Sequence, residues 1–205
     1  MKITKGSYDS RDLLKYDKNN NLIQCREYHN GIEHWYRYDE NNNLIFHKNT
    51  LGEEQIWEFD RSNNLIHFKD SDNYKYWREY DERNNEIHYK KSNGFEVWKE
   101  YDKNNNLIYK KDSDGFEFWK EYDEKNNLIY YKSSSSYEYW REYDENDNEI
   151  HYKDSYGFEK WYKYDENNEQ IKITQQEFKQ IERRKEKREL YLNIKKSNRF
   201  DIMDI

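Results

Sequence analysis

The sequence predicts a mostly β protein: a continuous antiparallel meander of about sixteen short strands in a coiled open sheet, followed by a C-terminal α-helix. Three observations carry that expectation. A Tyr-Asp pair recurs with its Asp at 39, 60 (after Phe59), 81, 102, 123, 144 and 165, always 21 residues apart, and Asp17 precedes the series by 22. Six residues after each Asp stands an Ile, at 23, 45, 66, 87, 108, 129, 150 and 171. Four residues before it stands Trp35, Trp77, Trp98, Trp119, Trp140 or Trp161, with Leu13 and Ile56 in the other two units. A fixed period of this length marks an array of one supersecondary unit.

Each unit reads as two strands and two turns. In the unit from Asp102, the segment Asp102 to Asn105 suits a type I turn with Asn105 left-handed, a conformation Asn tolerates. The strand Asn106 to Asp112 follows. Next comes Asp114-Gly115, matched by Asn93-Gly94 and Tyr156-Gly157, which reads as a two-residue primed turn. The strand Phe116 to Tyr122 closes the unit. Crossing both turns then carries residue k to k + 21, so equivalent residues are expected on one face throughout. One face is expected to carry Trp98, Lys110, Trp119 and Tyr131, beside Glu100, Ile108, Glu121 and Ile129. The other is expected to carry Tyr101, Leu107, Lys99 and Tyr109. Strand twist of about 20–25° per step makes so long a sheet coil, with the Trp/Ile face inward.

The array, residues 1–173, is expected to end near Ile173. In the second region, residues 174–205, Thr174-Gln-Gln-Glu177 is a capping box that opens a helix to about Asn193. Ser197 to Ile205 show no clear period.

Composition fits ladders of side chains better than a thick core. Hydrophobic residues make up 33% of the 205 and charged residues 39%, yet aromatics reach 19% and stand in register. Cross-strand aromatic and cation–π pairs contribute roughly 0.2–1 kcal/mol each, and dozens of them can hold a thin sheet. The charge is uneven: from Thr174 onward 9 Lys/Arg and 6 Asp/Glu leave +3, and the remaining 27 and 37 leave -10. One cysteine, Cys25, excludes an intramolecular disulfide, and no apolar leader or membrane-length run is present. The expected location is the cytoplasm. Absence of Pro and Ala alongside abundant Asn, Lys, Tyr and Ile suits AT-rich codons, as in some bacteria and their phages.

Tyr-Asp-x-x-Asn-Asn-Leu-Ile, as in Tyr122 through Ile129, resembles the YD repeats of the rearrangement-hotspot (Rhs) and teneurin proteins. The resemblance covers about residues 13–173 and implies a strand meander. Members of that family wind such strands into large shells around a toxin or an enclosed space. Here Asn63, Asn84 and Asn105 replace the family's Gly. A chain of this length, without a toxin domain after the array, is expected to keep the meander and not the cage.

Repetition argues against a catalytic centre, because an enzyme needs a unique constellation and this array offers copies. His67, His88 and His151 share one position, but successive units lie about 9.6 Å apart, too far for one zinc ion with bonds near 2 Å. Tyr109 and Tyr130 fill the same slot, so ladder packing is the expected role. The repeated Asp serves its own turn, and Cys25 is expected to be inert. No cofactor or metal is expected. Exposed aromatics can stack bases, but Glu96, Glu117, Glu138 and Glu159 share their face, and an acidic array repels phosphates. The basic run Arg183 to Arg188 is interrupted by Glu186 and reads as a solvated helix face. The expected function is therefore a non-catalytic protein-interaction module with a curved acidic and aromatic surface. Its candidate partner-binding residues are Glu96, Glu100, Glu117, Glu121, Glu138, Glu142 and Glu159. Two alternatives remain: a phage-type inhibitor that blocks a basic nucleic-acid-binding groove of a host complex, and a glycan- or cell-wall-binding repeat protein.

Overall fold

The computed structural model describes residues 13–200, with side chains to residue 190. Sixteen antiparallel strands, from Leu13–Tyr16 to Gln170–Ile173, follow one another in chain order. The first and last have a single neighbour each, so the sheet is open. No helix interrupts the strands. A helix, Gln175–Phe200, comes after them, about two turns longer than the capping box and apolar spacing suggested. The chain divides after Glu117 into two compact units, and the helix belongs to the second.

Fourteen of the fifteen turns are built alike, which corrects the expected two-residue turn; the one between Leu22–Arg26 and Glu33–Tyr38 is a residue longer, with Gly31 N–H donating to Glu27 O (2.9 Å) and Glu27 N–H to Ile32 O (2.9 Å). In the first type, Asp102 N–H donates to Asn106 O (3.0 Å) and Asn105 N–H to Asp102 O (3.2 Å). In the second, Asp112 N–H donates to Phe116 O (2.9 Å) and Gly115 N–H to Asp112 O (3.2 Å). Each turn holds one left-handed residue: Asn105 at φ 66° in one, Gly115 at φ 90° in the other. A primed turn of type I′ would need two. Both are type I turns closed by a left-handed residue, and in both the leading Asp accepts two backbone N–H groups. Asp102 Oδ1 takes those of Asn104 (2.8 Å) and Asn106 (2.9 Å); Asp112 Oδ1 takes those of Asp114 and Phe116 (3.1 Å each).

The repeated Ile explains how two such turns still keep residues 21 apart on one face. Tyr101 pairs with Leu107 and Glu100 with Tyr109, which leaves Ile108 as an extra residue, a β-bulge. The same shift falls at Ile23, Ile45, Ile66, Ile87, Ile129 and Ile150. Only the last hairpin lacks it, with Ile171 directly opposite Lys163. Lateral neighbours therefore advance by 19 residues per unit: Glu79 faces His88, and His88 faces Trp98. Equivalent residues are offset by two along the strand, an even number, so each keeps its face. The bulge also corrects the expected partners of Trp98. Tyr109 and Lys111 share its face, and Lys110 lies opposite Lys99 on the other.

The repeated Tyr of each Tyr-Asp pair has a structural use beside the bulge. Tyr101 donates its hydroxyl to Glu86 O (3.2 Å) and Tyr143 to Leu128 O (3.1 Å), the carbonyls just before the bulged Ile of the preceding hairpin. Along the turns runs a second device. Asn64 Nδ2 donates to Asp60 Oδ2 in its own turn and to Asn84 Oδ1 in the next unit (2.8 Å). Asn85 reaches Asn105 (3.0 Å) in the same way, and in the second unit Asn127 reaches Asp147 (2.9 Å) and Asn148 reaches Asn168 (3.1 Å).

Little is fully buried, as a single layer demands: among the described residues the buried apolar side chains are Leu22, Cys25, Val97, Phe118 and Ile173. Val97 and Phe118 belong to the face of Tyr101 and Tyr122. Trp77, Trp98, Trp119 and Trp140 on the Trp face are 37–40% exposed, against 6% and 8% for Val97 and Phe118.

The helix begins as its capping box dictates: Thr174 N–H donates to Glu177 Oε2 (2.8 Å) and Glu177 N–H to Thr174 Oγ1 (3.2 Å). Phe178 seats it near His151, with ring centroids 6.1 Å apart. Beyond Glu182 its described side chains are exposed.

Candidate protein-interaction surface

The Trp face is written by alternation within each odd strand. In Glu96–Tyr101, positions 96, 98 and 100 point one way and 97, 99 and 101 the other. The Trp-face row of the first unit includes Trp77, Glu79, Trp98 and Glu100, and that of the second Trp119, Glu121, Trp140 and Glu142. Between the tryptophans stand His67, His88, Tyr130 and His151. His67 stacks on Trp77 (5.2 Å, 18°), His88 on Trp98 (5.4 Å, 14°) and His151 on Trp161 (5.2 Å, 12°), while Tyr130 tilts against Trp140 (5.5 Å, 33°). The repeated His is thus a ladder member, and its ring nitrogens meet carboxylates. His88 Nδ1 lies 3.3 Å from Glu79 and Nε2 3.1 Å from Glu96; His151 meets Glu142 (3.1 Å) and Glu159 (2.9 Å) likewise.

The seven candidate glutamates all lie on this face, but they separate into two groups. Glu96 binds Lys90 (2.7 Å), Glu117 accepts the Tyr109 hydroxyl (2.8 Å), and Glu138 binds Lys132 (2.9 Å) and the Tyr130 hydroxyl (3.0 Å). Glu159 lies 2.9 Å from His151 Nε2, whose Nδ1 meets the more exposed Glu142. These four are half-buried members of the ladder, and hydrogen bonds from Lys90 and Lys132 hold Glu96 and Glu138 below the ordinary carboxylate range. Glu100, Glu121 and Glu142 are exposed beside the tryptophans. Sequence reasoning grouped all seven because the partner of each depends on a register shifted by the bulge.

A cluster that the repeat did not announce lies on the Tyr face of the first unit. His34 Nδ1 and His47 Nε2 are 3.0 Å apart, with ring centroids at 5.3 Å and planes within 8°, so the rings meet head to head through one shared proton. Glu27 lies 3.3 Å from His34 Nε2, Gln55 3.3 Å from His47 Nδ1, and the Tyr36 ring 4.9 Å from that of His47. Burial, and then His34, push the His47 pKa below its ordinary value. A lowered His pKa means the folded state favours the neutral ring, so this stability is present above about pH 6.5 and is lost as pH falls below it. The thermal midpoint of the chain should therefore fall between pH 7.5 and pH 5, and fall less in His47→Phe, a residue that Phe68 shows the position accepts. Equal falls in both proteins would remove His47 from the account. Cys25, next to this cluster, is 1% exposed, with Sγ 3.9 Å from the Tyr36 hydroxyl. Among the described residues no three His, Cys, Asp or Glu side chains are grouped to hold a metal ion.

No protein-family model matches the sequence, and no curated protein matches it. Solved structures do match the fold. A TcdB2–TccC3–TEV crystal structure aligns with 78% of this chain at TM-score 0.56 and 15% identity. The Tc holotoxin pore of Photorhabdus luminescens aligns with the same share at TM-score 0.55 and 14% identity, and a TcdB2–TccC3 crystal structure at 0.54 and 14%. This chain spans 10% of the length of each. The fold resembles the YD-repeat strand arrays of these toxin complexes, in agreement with the Tyr-Asp motif. No described helix is long and apolar enough to cross a membrane.

Proposed function

We propose that the chain is a non-catalytic protein-interaction module whose Trp face binds a protein partner. The observation that carries the reading is the pairing, on the Trp face of each compact unit, of exposed Trp98 with exposed Glu100 in the first and of exposed Trp119 and Trp140 with exposed Glu121 and Glu142 in the second. Large aromatic side chains left in water on a rigid element are the kind of residue that dominates protein interfaces. Sugar or base stacking is less well served, because His88 and His151 already lie against ring faces of Trp98 and Trp161. The acidic neighbours favour a basic partner surface and speak against nucleic acid.

The test starts from the partner that co-purifies with the chain from its source cell. Affinity should weaken as salt rises, since exposed charges are screened beyond roughly 8–10 Å at physiological ionic strength. Reversing Glu100, Glu121 and Glu142 together to Lys should weaken binding about tenfold or more, each single reversal costing severalfold at most. Trp98→Ala with Trp140→Ala should do the same without abolishing the strand signal in circular dichroism. Unchanged affinity in both folded variants would refute this assignment of the surface.

A further inference from the structure

Two depressions on the Trp face occupy the same place in the repeat, four units apart, and differ at three of five matched positions. In the first unit, Arg37, Ile45, Phe46, Ile56 and Glu58 line one of them, and the Arg37 guanidinium lies 4.2 Å from the Phe46 ring centroid. In the second unit, Glu121, Ile129, Tyr130, Trp140 and Glu142 line the other, of about 400 Å³. The numbers correspond one to one at a spacing of 84, so Glu121 stands where Arg37 stands, Tyr130 replaces Phe46 and Trp140 replaces Ile56. One depression contains its own guanidinium on an aromatic ring. Its counterpart has a larger aromatic wall and a carboxylate where the cation was. Arg141, which also borders it, turns its guanidinium to the other face, 4.9 Å from Tyr139 and 5.9 Å from Tyr152.

We propose that the depression formed by Glu121, Tyr130, Trp140 and Glu142 receives an arginine side chain of the protein partner. This rests on the reading of the chain as a protein-interaction module and names the group that the surface recognises. The array already holds guanidinium groups this way on its Tyr face: Arg78 lies 4.9 Å from Tyr76 and 5.7 Å from Tyr89, with Nε 3.3 Å from Glu86. Arginine suits the site better than lysine because its plane stacks on Tyr130 as Arg37 stacks on Phe46, while its fork meets carboxylates edge-on. Glu121 and Glu142 supply those carboxylates from two walls. Glu142 also faces His151 Nδ1 at 3.1 Å.

The probes are a capped Gly-Arg-Gly tripeptide and its Gly-Lys-Gly counterpart, titrated to millimolar concentration into the full chain. The readout is the indole N–H resonance of Trp140, assigned with Trp140→Phe. The arginine peptide should shift it saturably, with affinity at least about threefold above that of the lysine peptide. Glu121→Arg, which recreates the first unit's arrangement, should remain folded and lose the shift. That variant should also lower affinity for the co-purified partner. No saturable shift, or equal response to both peptides, would overturn the proposal. So would a saturable shift with a short oligonucleotide in place of the peptide. If the peptides fail while the Glu and Trp variants still weaken partner binding, the arginine site is wrong and the module stands. If those variants leave partner binding intact, the module reading itself falls.

Discussion

Deleting Arg78–Trp98, 21 residues, should leave a shorter array that still melts cooperatively, whereas deleting Arg78–Val97, 20 residues, should abolish cooperative melting. The first deletion joins Trp77 to Lys99, which is the junction the repeat already uses at Trp98. Faces, bulges and the turn string are preserved, and the loss is one unit's share of nearest-neighbour stability. The second joins Trp77 directly to Trp98. Beyond that point every side chain of the strand changes face, which sends Trp98 and Glu100 to the Tyr face and Lys99 and Tyr101 to the Trp face. Far-UV circular dichroism and a thermal scan of the two proteins decide the matter. Similar midpoints for both would mean that pairing register is not what organises the sheet.

Asp102→Ala should lower the thermal midpoint by about 3–6 °C, while Asp102→Asn should cost clearly less. The Asp side chain accepts two backbone N–H groups and the Asn106 amide (3.0 Å), and Ala leaves all three to water. Asn keeps one oxygen in place, and Asn49 already performs this task in its own turn, accepting from Leu51 (3.0 Å) and Glu53 (3.1 Å). Equal midpoints for the Ala and Asn proteins would assign the turn's stability to its backbone alone. The same bonds predict an acid limb. The backbone bond from Asn64 lowers the Asp60 pKa and the Asn85 side chain lowers that of Asp81. Lowered carboxyl values mean stability that is present near neutral pH and lost as pH falls below about 4.

Period, strand order and the left-handed Asn of the first turn were all legible in the sequence, because each follows from local chemistry repeated in register. The second turn was not, since Asp114-Gly115 satisfies both a two-residue hairpin and the longer form. A signal was nonetheless there. Asp112 stands four residues before Phe116, as Asp102 stands four before Asn106, and Tyr156 is a poor occupant for a left-handed position. The bulge at Ile108 was invisible because it and the longer turn each take one residue from the lateral advance, and the even change from 21 to 19 leaves every residue on its face. Two errors in the same direction kept the faces and changed the partners. The candidate glutamates were placed on the correct face by alternation alone. Which of them are engaged within the ladder depended on cross-strand partners that only the true register supplies. The Arg37 and Glu121 correspondence was hidden for the same reason, since it acquires meaning only once Phe46 and Tyr130 are known to lie beside those positions.

The string of turn amides has a direction, and the direction tells the chain where to stop adding units. Asn21, Asn43, Asn64, Asn85, Asn127 and Asn148 each spend one amide hydrogen on their own Asp and extend another to the following unit. The corresponding residue of the final turn is Glu169, whose backbone still donates to Asp165 (2.9 Å) but whose side chain has no hydrogen to pass on. No further turn follows to receive one: after the last strand, Gln170–Ile173, comes the helix. Asn at this place is a request for a successor, and Glu is a full stop. The helix therefore begins where the ladder has already been terminated chemically, one strand earlier.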